Sequence, residues 1–191
     1  MSLLSSQRHY AFDLDGTVFD TRHHVEIAYA SVGVMMPAGA WGRTWEEWLI
    51  PQCDGDRLLA SQLHAKKVQV YDQLLQDEPP ELTAAGELLL LLSTKECVLG
   101  ADFETSVMTG ASRGAMNRLL AQAGIVTRSL AHLTVEQKTE RLRLLSHGRC
   151  RVTYVDDDVV ALAVMRQKLP ANVRLIHFRG QDALALRKEV W

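Results

Sequence analysis

Two carboxylates stand one residue apart directly after an apolar segment near the start of the chain. Tyr10–Asp13 reads as a short buried strand, and its last residue begins the sequence DLDGT. A carboxylate such as Asp13 can attack phosphorus and form an aspartyl-phosphate. Asp15, two residues on, can protonate a leaving oxygen and later deprotonate water. Gly16 permits a tight turn, and Thr17 offers a hydroxyl and an amide, so this turn is a candidate nucleophile with its proton donor.

Further polar residues follow two other predicted strands. The stretch TSVMTG ends in Thr109 and Gly110, and the stretch RVTYV runs into three consecutive aspartates. In parallel sheets the ligand binds beyond the carboxyl ends of the strands, so the fold would gather these side chains in one place. The residues predicted to meet there are Asp13, Asp15, Thr109, Asp156, Asp157 and Asp158.

The order of predicted elements indicates the fold class. Strands at Tyr10–Asp13, Thr105–Gly110, RVTYV and VRLIHF alternate with helical segments such as SRGAMNRLLAQAG and VEQKTERLRLLSHG. This alternation is typical of an α/β protein in which helices cover both faces of a parallel, Rossmann-like sheet. The run Leu88–Leu92 is too short to span a bilayer, which needs about 20 residues, and is predicted to be a buried helix face. Pro79 and Pro80 are predicted to open that helix.

Residues 23–76 differ from the rest of the chain and are predicted to be a small helical insertion. The segment carries three of the four tryptophans, Trp41, Trp45 and Trp48, which at helical spacing would share one face. It shows no convincing strand. We therefore predict a core domain of residues 1–22 and 77–191, with a helical cap at residues 23–76 whose tryptophans form a small core.

Composition limits the function classes. The chain has 191 residues, a formal net charge of −2 and 47% hydrophobic residues, which is typical of a soluble globular protein. The charge provides no broad basic field for coating nucleic acid, although a local basic groove is compatible with it. Cys53, Cys97 and Cys150 form no C-x-x-C pair and read as reduced thiols. No signal peptide or membrane span is indicated, so we expect a cytoplasmic protein.

The predicted carboxylate cluster requires a cation. Several carboxylates that converge on a phosphate would repel it, and Mg²⁺ suits a site made of oxygen ligands and bridges carboxylate to phosphate oxygen. Thr109 can hydrogen-bond a phosphoryl oxygen. Lys138 can neutralise the charge that spreads over the phosphoryl oxygens in the transition state.

Four sequence elements taken in order resemble a known family. DLDGT, VMTG, Lys138 and TYVDDD are similar to the four motifs of the haloacid dehalogenase superfamily, whose members are mostly Mg²⁺-dependent phosphatases. The resemblance covers the chain from Tyr10 to about Phe178. It implies the haloacid dehalogenase fold with a small helical cap after the first strand, and a hydrolase that acts on phosphoric monoesters.

The resemblance also implies a role for each matching residue. Asp13 would be the nucleophile, Asp15 the acid and base, Thr109 the phosphate binder and Lys138 the charge stabiliser. The expected metal ligands are Asp13, the backbone carbonyl of Asp15, and Asp157 ahead of Asp156. Substrate contacts are expected from Gly16, Thr17 and Gly110.

Other interpretations of these residues stay open. Asp158 fits a helix cap better than a ligand, and His23 and His24 are either solvated or in contact with substrate. A reduced cap leaves the cleft more open, and the elements TWEEW, TGASRG and VDDDVVALAVMRQ are loosely similar to the 3′-phosphatase domains of polynucleotide kinases. Those domains carry a Thr-Gly-Arg second motif, whereas here Ala111 follows Thr-Gly and the arginine, Arg113, comes two positions later. A 3′-phosphatase that acts on a nucleic-acid or nucleotide end is therefore the alternative to a phosphatase of small substrates.

Two further functional classes, a phosphoryl-transferring enzyme and a binding module, would use or retain the same residues. A phosphotransferase or phosphomutase would need water kept away from the aspartyl-phosphate, which a short cap does poorly. A non-catalytic phosphate-binding module has no need of the intact pair of Asp13 and Asp15. The sequence does not indicate the oligomeric state.

Overall fold

The computed structural model describes residues 7–41, 43–99, 102–148 and 150–190. The first strand is followed by four helices, and strands then alternate with helices through the rest of the described chain. The elements in chain order are β1 (Arg8–Phe12), α1 (Arg22–Ser31), α2 (Trp45–Gln52), α3 (Arg57–Asp77), α4 (Ala84–Leu99), β2 (Phe103–Thr109), α5 (Arg113–Gln122), β3 (Ser129–His132), α6 (Val135–Leu145), β4 (Arg151–Asp156), α7 (Val159–Arg166), β5 (Val173–His177) and α8 (Ala183–Val190).

The strands form one parallel sheet with the order β3-β2-β1-β4-β5. β1 lies in the middle, and its residues after Arg8 are buried, as expected for a parallel strand with both faces covered. One core cluster packs Met108 of β2 and Tyr154 of β4 against Leu142 of α6 and Met165 of α7. The α/β, Rossmann-like fold class predicted from the sequence is confirmed.

The chain makes a tight turn directly after β1. The amide of Asp13 still donates to the carbonyl of Val155 on β4 at 2.9 Å, and the amide of Val18 then donates back to the carbonyl of Leu14 at 2.9 Å. Leu14 and Val18 are fully buried. Because these two apolar side chains hold the turn to the core, its polar residues are fixed at the end of the sheet.

The same turn is tied to the point where the chain returns from the helical segment. Phe19 forms an isolated antiparallel bridge with Leu82, and the amide of Thr83 donates to the carbonyl of Val18 at 3.1 Å. The hydroxyl of Thr83 also accepts from the amides of Ala85 and Gly86, at 3.1 and 3.2 Å, and so caps the start of α4. Phe19 and Leu82, which flank the helical segment, are therefore held side by side.

The structure divides into two compact units, residues 1–20 with 82–191 and residues 21–81. The smaller unit contains α1, α2 and α3 and has a core of its own, in which Trp48 packs edge-on against Tyr29 with ring centroids 4.7 Å apart. Trp45 lies partly buried against this core and stacks on His64 at 4.7 Å. Trp41 precedes α2 and is 38% exposed. The prediction that the three tryptophans share one helix face is therefore wrong for Trp41.

The leucine-rich run of α4 packs inward. Leu88, Leu89 and Leu92 are fully buried, which confirms the predicted buried helix face. Complete burial of a leucine side chain contributes about 1.5–3 kcal/mol, so this helix is a main support of the core. Within the described ranges, no helix has both the length and the apolar character needed to cross a bilayer.

Three local predictions differ from the structure. α4 begins at Ala84 and not at the two prolines, since the bridge at Leu82 and the cap at Thr83 come first. β3 was not expected, because its four residues are only partly buried and show no alternation of apolar and polar residues. The C-terminal helix α8 was not expected either.

Gly86 lies where α4 touches the turn after β1. A Cβ atom at this position would lie 2.3 Å from the carbonyl oxygen of Val18, which is backbone and has no room to move. Gly86→Ala should therefore lower the free energy of unfolding by about 1–3 kcal/mol through overpacking. Without this contact, the same change inside a helix would stabilise the protein by roughly 1 kcal/mol.

Urea denaturation followed by circular dichroism measures this effect. Gly39→Ala is the matched control, because a Cβ atom at Gly39 meets no atom within 4 Å. A Gly86→Ala protein as stable as the wild type, or more stable, would show that α4 does not press on the Val18 carbonyl as described.

Candidate active site

Polar residues collect at the carboxyl end of the sheet, where β2, β1 and β4 lie side by side. Asp13 directly follows β1, Thr109 is the last residue of β2, and Asp156 is the last residue of β4. Lys138 approaches from helix α6. The sheet thus gathers residues that lie more than a hundred positions apart in the sequence.

Lys138 forms a buried ion pair with Asp13. Its Nζ lies 2.6 Å from Oδ1 of Asp13 and 3.5 Å from Oδ2 of Asp156, and both partners of the shorter contact are buried. α6 is held in place at its start, where Thr134 and Gln137 bond reciprocally in a capping box. The position of the lysine is therefore fixed by the start of its helix and by two carboxylates.

Asp156 is held by three donors of the protein. Its Oδ2 accepts from the hydroxyl of Tyr154 at 2.6 Å as well as facing Lys138, and its Oδ1 accepts from the amide of Asp158 at 2.8 Å. Burial raises the pKa of Tyr154 well above its usual range, so this hydroxyl remains a neutral donor. Tyr154 was not predicted as a site residue, because a tyrosine in a buried strand reads as core.

Asp157 is fixed by the turn after β1. The hydroxyl of Thr17 donates to Oδ1 of Asp157 at 3.1 Å, and it accepts from the amide of Asp157 at 2.9 Å. Gly16 adopts a φ of +77°, and a Cβ atom there would lie 2.4 Å from Oδ2 of Asp157. Glycine is thus required at this position both by the backbone and by the close approach of the carboxylate.

Three carboxylates come close enough together to hold one cation. Asp13, Asp156 and Asp157 each present an oxygen, and these oxygens lie within 4.8 Å of one another. Three carboxylates against the single ammonium of Lys138 leave an excess of negative charge in a mostly buried site. A hard divalent cation such as Mg²⁺ fits this set, because it prefers oxygen ligands and offsets that charge.

The electrostatics of the pair of Asp13 and Lys138 also favour a bound cation. Burial raises the pKa of the Asp13 carboxyl well above its usual range; Lys138 opposes that rise, and Asp156 adds to it. Burial by itself would lower the pKa of Lys138, but the carboxylates of Asp13 and Asp156 outweigh it and raise that pKa. An additional cation beside Asp13 would favour its ionised form, which is the form that a nucleophile needs.

The remaining predicted site residues lie at the same end of the sheet. The Oγ1 of Thr109 accepts from the amide of Ala111 at 3.0 Å, which leaves its hydroxyl hydrogen to donate to a ligand. Gly110 is exposed beside it, and Asp15 is half-buried in the turn after β1. Within the described residues, the converging carboxylates do not include that of Asp15, so a contribution of Asp15 to metal binding through its backbone carbonyl stays a prediction.

Two of the open interpretations are decided by the structure. Asp158 is the N-cap of α7, and its Oδ1 accepts from the amides of Val160 and Ala161 at 2.8 and 2.9 Å. The helix-cap interpretation is therefore confirmed. His24 is buried in the smaller unit with its Nε2 2.6 Å from the carbonyl oxygen of Glu78, so it is not a solvated loop histidine, whereas His23 is exposed.

Neither a protein-family model nor a curated protein sequence matches the chain significantly. Solved structures do match it in fold. A hydrolase of haloacid dehalogenase family IA, variant 3, from Entamoeba histolytica has a TM-score of 0.67 at 12% identity, over 91% of this chain and 85% of that chain. The phosphate complex of CbbY from Rhodobacter sphaeroides has a TM-score of 0.62 at 16% identity, over 92% and 90%.

The chain has the haloacid dehalogenase fold. A third structure, magnesium-bound YfnB from Bacillus subtilis, has a TM-score of 0.53 at 12% identity over 85% of each chain. The resemblance inferred from DLDGT, VMTG, Lys138 and TYVDDD is thus confirmed at the level of the fold, and the chain spans most of the length of these haloacid dehalogenase-fold proteins.

The surroundings of Asp156 and Asp157 predict that substitution of one will weaken metal binding more than substitution of the other. Asp156 is buried and already faces the ammonium of Lys138 as well as two hydrogen-bond donors, whereas Asp157 is half-buried. We expect Asp157→Asn to weaken Mg²⁺ binding at least about tenfold more than Asp156→Asn, because the ammonium of Lys138 already offsets part of the charge of Asp156.

Isothermal titration of Mg²⁺ into the wild type and both variants measures this difference. Thermal unfolding of each variant without metal serves as the control for folding. A greater loss of affinity in Asp156→Asn would make Asp156 the principal ligand, and equal losses would show that the two carboxylates contribute alike; either result contradicts the prediction.

Proposed function

We propose that the protein is a Mg²⁺-dependent phosphatase that hydrolyses a phosphomonoester through an aspartyl-phosphate on Asp13. The observation that carries the proposal is the meeting of the carboxylates of Asp13, Asp156 and Asp157 around the buried Lys138 ammonium. Under this proposal Asp13 is the nucleophile, the three carboxylates bind the cation, and Lys138 supplies a fixed positive charge beside them. The fold shared with the CbbY structure, which contains phosphate, supports the proposal.

Asp13, Asp157 and Asp156 would hold Mg²⁺, with the backbone carbonyl of Asp15 as a further ligand. When bound, the ion would neutralise the phosphoryl oxygens and lower their repulsion by the carboxylates. The magnesium-bound state of YfnB supports this choice of ion.

In the first step, a carboxylate oxygen of Asp13 attacks phosphorus. The bond between phosphorus and the ester oxygen breaks, and Asp15 gives that oxygen a proton so that it leaves as an alcohol. Lys138 and the Thr109 hydroxyl stabilise the charge on the phosphoryl oxygens. The ammonium of Lys138 is already held 2.6 Å from the nucleophile, so little reorganisation accompanies the reaction.

In the second step, water replaces Asp13 on phosphorus. Asp15, now a carboxylate, takes a proton from the attacking water, the bond between phosphorus and Asp13 breaks, and inorganic phosphate leaves. Asp13 returns to its ionised form and Asp15 to its protonated form, which completes the cycle.

The substrate we propose is a small phosphorylated molecule. We further propose that the helical insertion acts as a cap that excludes water and selects the substrate, as the resemblance implies. The insertion has a packed core of its own around Tyr29 and Trp48, which suits a separate functional unit. Arg113 is exposed at the start of α5 and has no described contact with the site, which gives no added support to the 3′-phosphatase alternative.

Asp13→Asn tests the nucleophile. The amide cannot attack phosphorus, so hydrolysis of an aryl phosphate should fall by at least about a thousandfold while the fold is retained. Asp20→Asn is the matched control, because Asp20 is an exposed aspartate shortly after the same turn. Steady-state assays with Mg²⁺ measure the hydrolysis rates of the wild type and both variants. The same assay in excess chelator measures whether the wild type requires a metal.

Two results would remove the proposal. One is a folded Asp13→Asn enzyme with substantial turnover, and the other is wild-type activity that excess chelator does not diminish. The same assay with sugar phosphates and 3′-phosphorylated oligonucleotides separates the proposed small substrate from a nucleic-acid end.

Asp15→Asn tests the acid and base. Alkyl phosphates need a proton on the leaving oxygen, whereas nitrophenolate departs without one, so the variant should lose at least about tenfold more rate on the alkyl substrate. Removal of the base should also slow water attack and let the phosphorylated form of Asp13 accumulate. Rapid quenching followed by mass spectrometry detects that species. Equal losses on both substrates would instead assign Asp15 to positioning or to the metal shell.

A further inference from the structure

Three arginines lie at the end of the sheet opposite the carboxylates. Arg8 and Arg151 are the first residues of β1 and β4, and Arg174 is the second residue of β5. All three side chains are exposed. Asp13 lies five residues after Arg8 on the central strand, a distance of about 17 Å at the rise of a β-strand, so this end of the sheet is separate from the candidate active site.

The register of the sheet places the three arginines on one face. Arg8 pairs directly with Arg151 across β1 and β4, and Thr153 pairs with Arg174 across β4 and β5. Because side chains alternate along a strand, Arg151 and Thr153 point to the same face, and Arg174 therefore shares the face of the other two arginines. The spacing of strands in a sheet brings directly opposed side chains to within about 5 Å at Cβ.

This arrangement is unfavourable for the fold by itself. Like charges directly opposite each other on neighbouring strands destabilise a sheet. None of the three guanidinium groups forms a hydrogen bond or an ion pair with any residue that the structure describes. By contrast, Arg128, which directly precedes β3, is paired with Glu104 and Glu96. The three arginines thus lack the counter-charge that this protein supplies elsewhere.

The arginines surround a cavity of about 390 Å³, which is the size of a site for a small molecule. Its described walls include no carboxylate, and they add apolar surface from Val152, Ala171 and Val190. Asn172 anchors the rim, since its side-chain amide donates to the carbonyls of Ser146 and Cys150 at 2.7 and 2.8 Å. The cavity therefore combines three donors of fixed positive charge with a small apolar wall.

A second cavity adjoins the first and extends the positive surface. It measures about 670 Å³, shares Arg151 and Asn172 with the first, and adds His147 and Lys168. Arg151 lies between the two cavities and lines both. A ligand with two separated anionic groups would be able to reach both cavities through this residue.

We propose that this basic pocket, lined by Arg8, Arg151 and Arg174, binds a small organic anion with at least two negative charges, such as a diphosphate or a bisphosphorylated compound. Guanidinium groups bind phosphate oxygens through paired hydrogen bonds, and a bound dianion removes the repulsion between the arginines. The basic surface is confined to this cavity and its neighbour, and the chain has a net charge of −2, which favours a small anion over the extended basic stripe that nucleic acid requires.

Isothermal titration with pyrophosphate tests the proposal on the full chain after its metal has been removed on an immobilised chelating resin, so that no metal is available at the carboxylate cluster and no free chelator competes for the pocket. We expect binding at one site per chain that weakens as salt concentration rises. Arg151→Gln should lower the affinity at least about tenfold, and Arg8→Gln or Arg174→Gln at least about threefold. Arg166→Gln, which removes an exposed arginine of α7 outside the pocket, is the matched control and should leave the affinity unchanged.

Asp13→Asn separates this pocket from the candidate active site, and it should bind pyrophosphate as the wild type does. Thermal unfolding of each arginine variant shows that it remains folded. The proposal is overturned if pyrophosphate does not bind, if Arg166→Gln weakens binding as much as Arg151→Gln, or if Asp13→Asn changes the affinity as strongly. Binding of a phosphorylated oligonucleotide without binding of pyrophosphate would also overturn it, in favour of a nucleic-acid surface. None of these outcomes depends on phosphatase activity.

Discussion

The buried contact between Lys138 and Asp13 is the interaction on which the rest of the site depends. Transfer of both charges from water is costly, and a buried ion pair is tolerated only when other groups satisfy its remaining atoms. Here Asp156 is the second carboxylate that faces the ammonium, and Tyr154 and the amide of Asp158 hold Asp156 in turn. The result is a connected polar network in which removal of one member leaves another buried group without its partner.

This network constrains the architecture around it. Asp13 directly follows the central strand, at the start of the tight turn. Leu14 and Val18 fix that turn by burying their side chains. The turn then holds Asp157 through Thr17 and admits the carboxylate against Gly16, where any larger residue would collide with it. A single tight turn thus positions both the first and the last of the converging carboxylates.

The two ends of the sheet carry opposite charge. Carboxylates gather where β1 and β4 end, and arginines gather where the same strands begin. At the carboxyl end, Lys138 provides part of the counter-charge and the proposed metal ion would provide the rest. At the amino end, no described residue provides a counter-charge to Arg8, Arg151 or Arg174, which is the physical basis for proposing an anion there.

The order of the chemistry-bearing residues and the class of fold follow from the amino-acid pattern. Asp13, Thr109 and Asp156 each follow a short apolar strand, and the rule that parallel strands share one carboxyl edge is enough to place them together. Burial of both faces of β1 was also readable, since Tyr10 to Phe12 are apolar without alternation. The role of Asp158 as a helix N-cap follows from the preference of aspartate for that position.

Most contacts within the site depend on how distant segments pack in the folded chain. The bonds of Thr17 to Asp157 join residues 140 positions apart, and the contact of Lys138 with Asp13 joins residues 125 positions apart. Tyr154, by contrast, reaches Asp156 two residues along the same strand, where alternation puts both side chains on one face. The edge strand β3 has too few buried residues to produce a periodic pattern, and its pairing with β2 supplies the stabilisation that its own sequence lacks. The pairing of Arg8 with Arg151 depends on strand register, which tertiary packing fixes and local sequence does not.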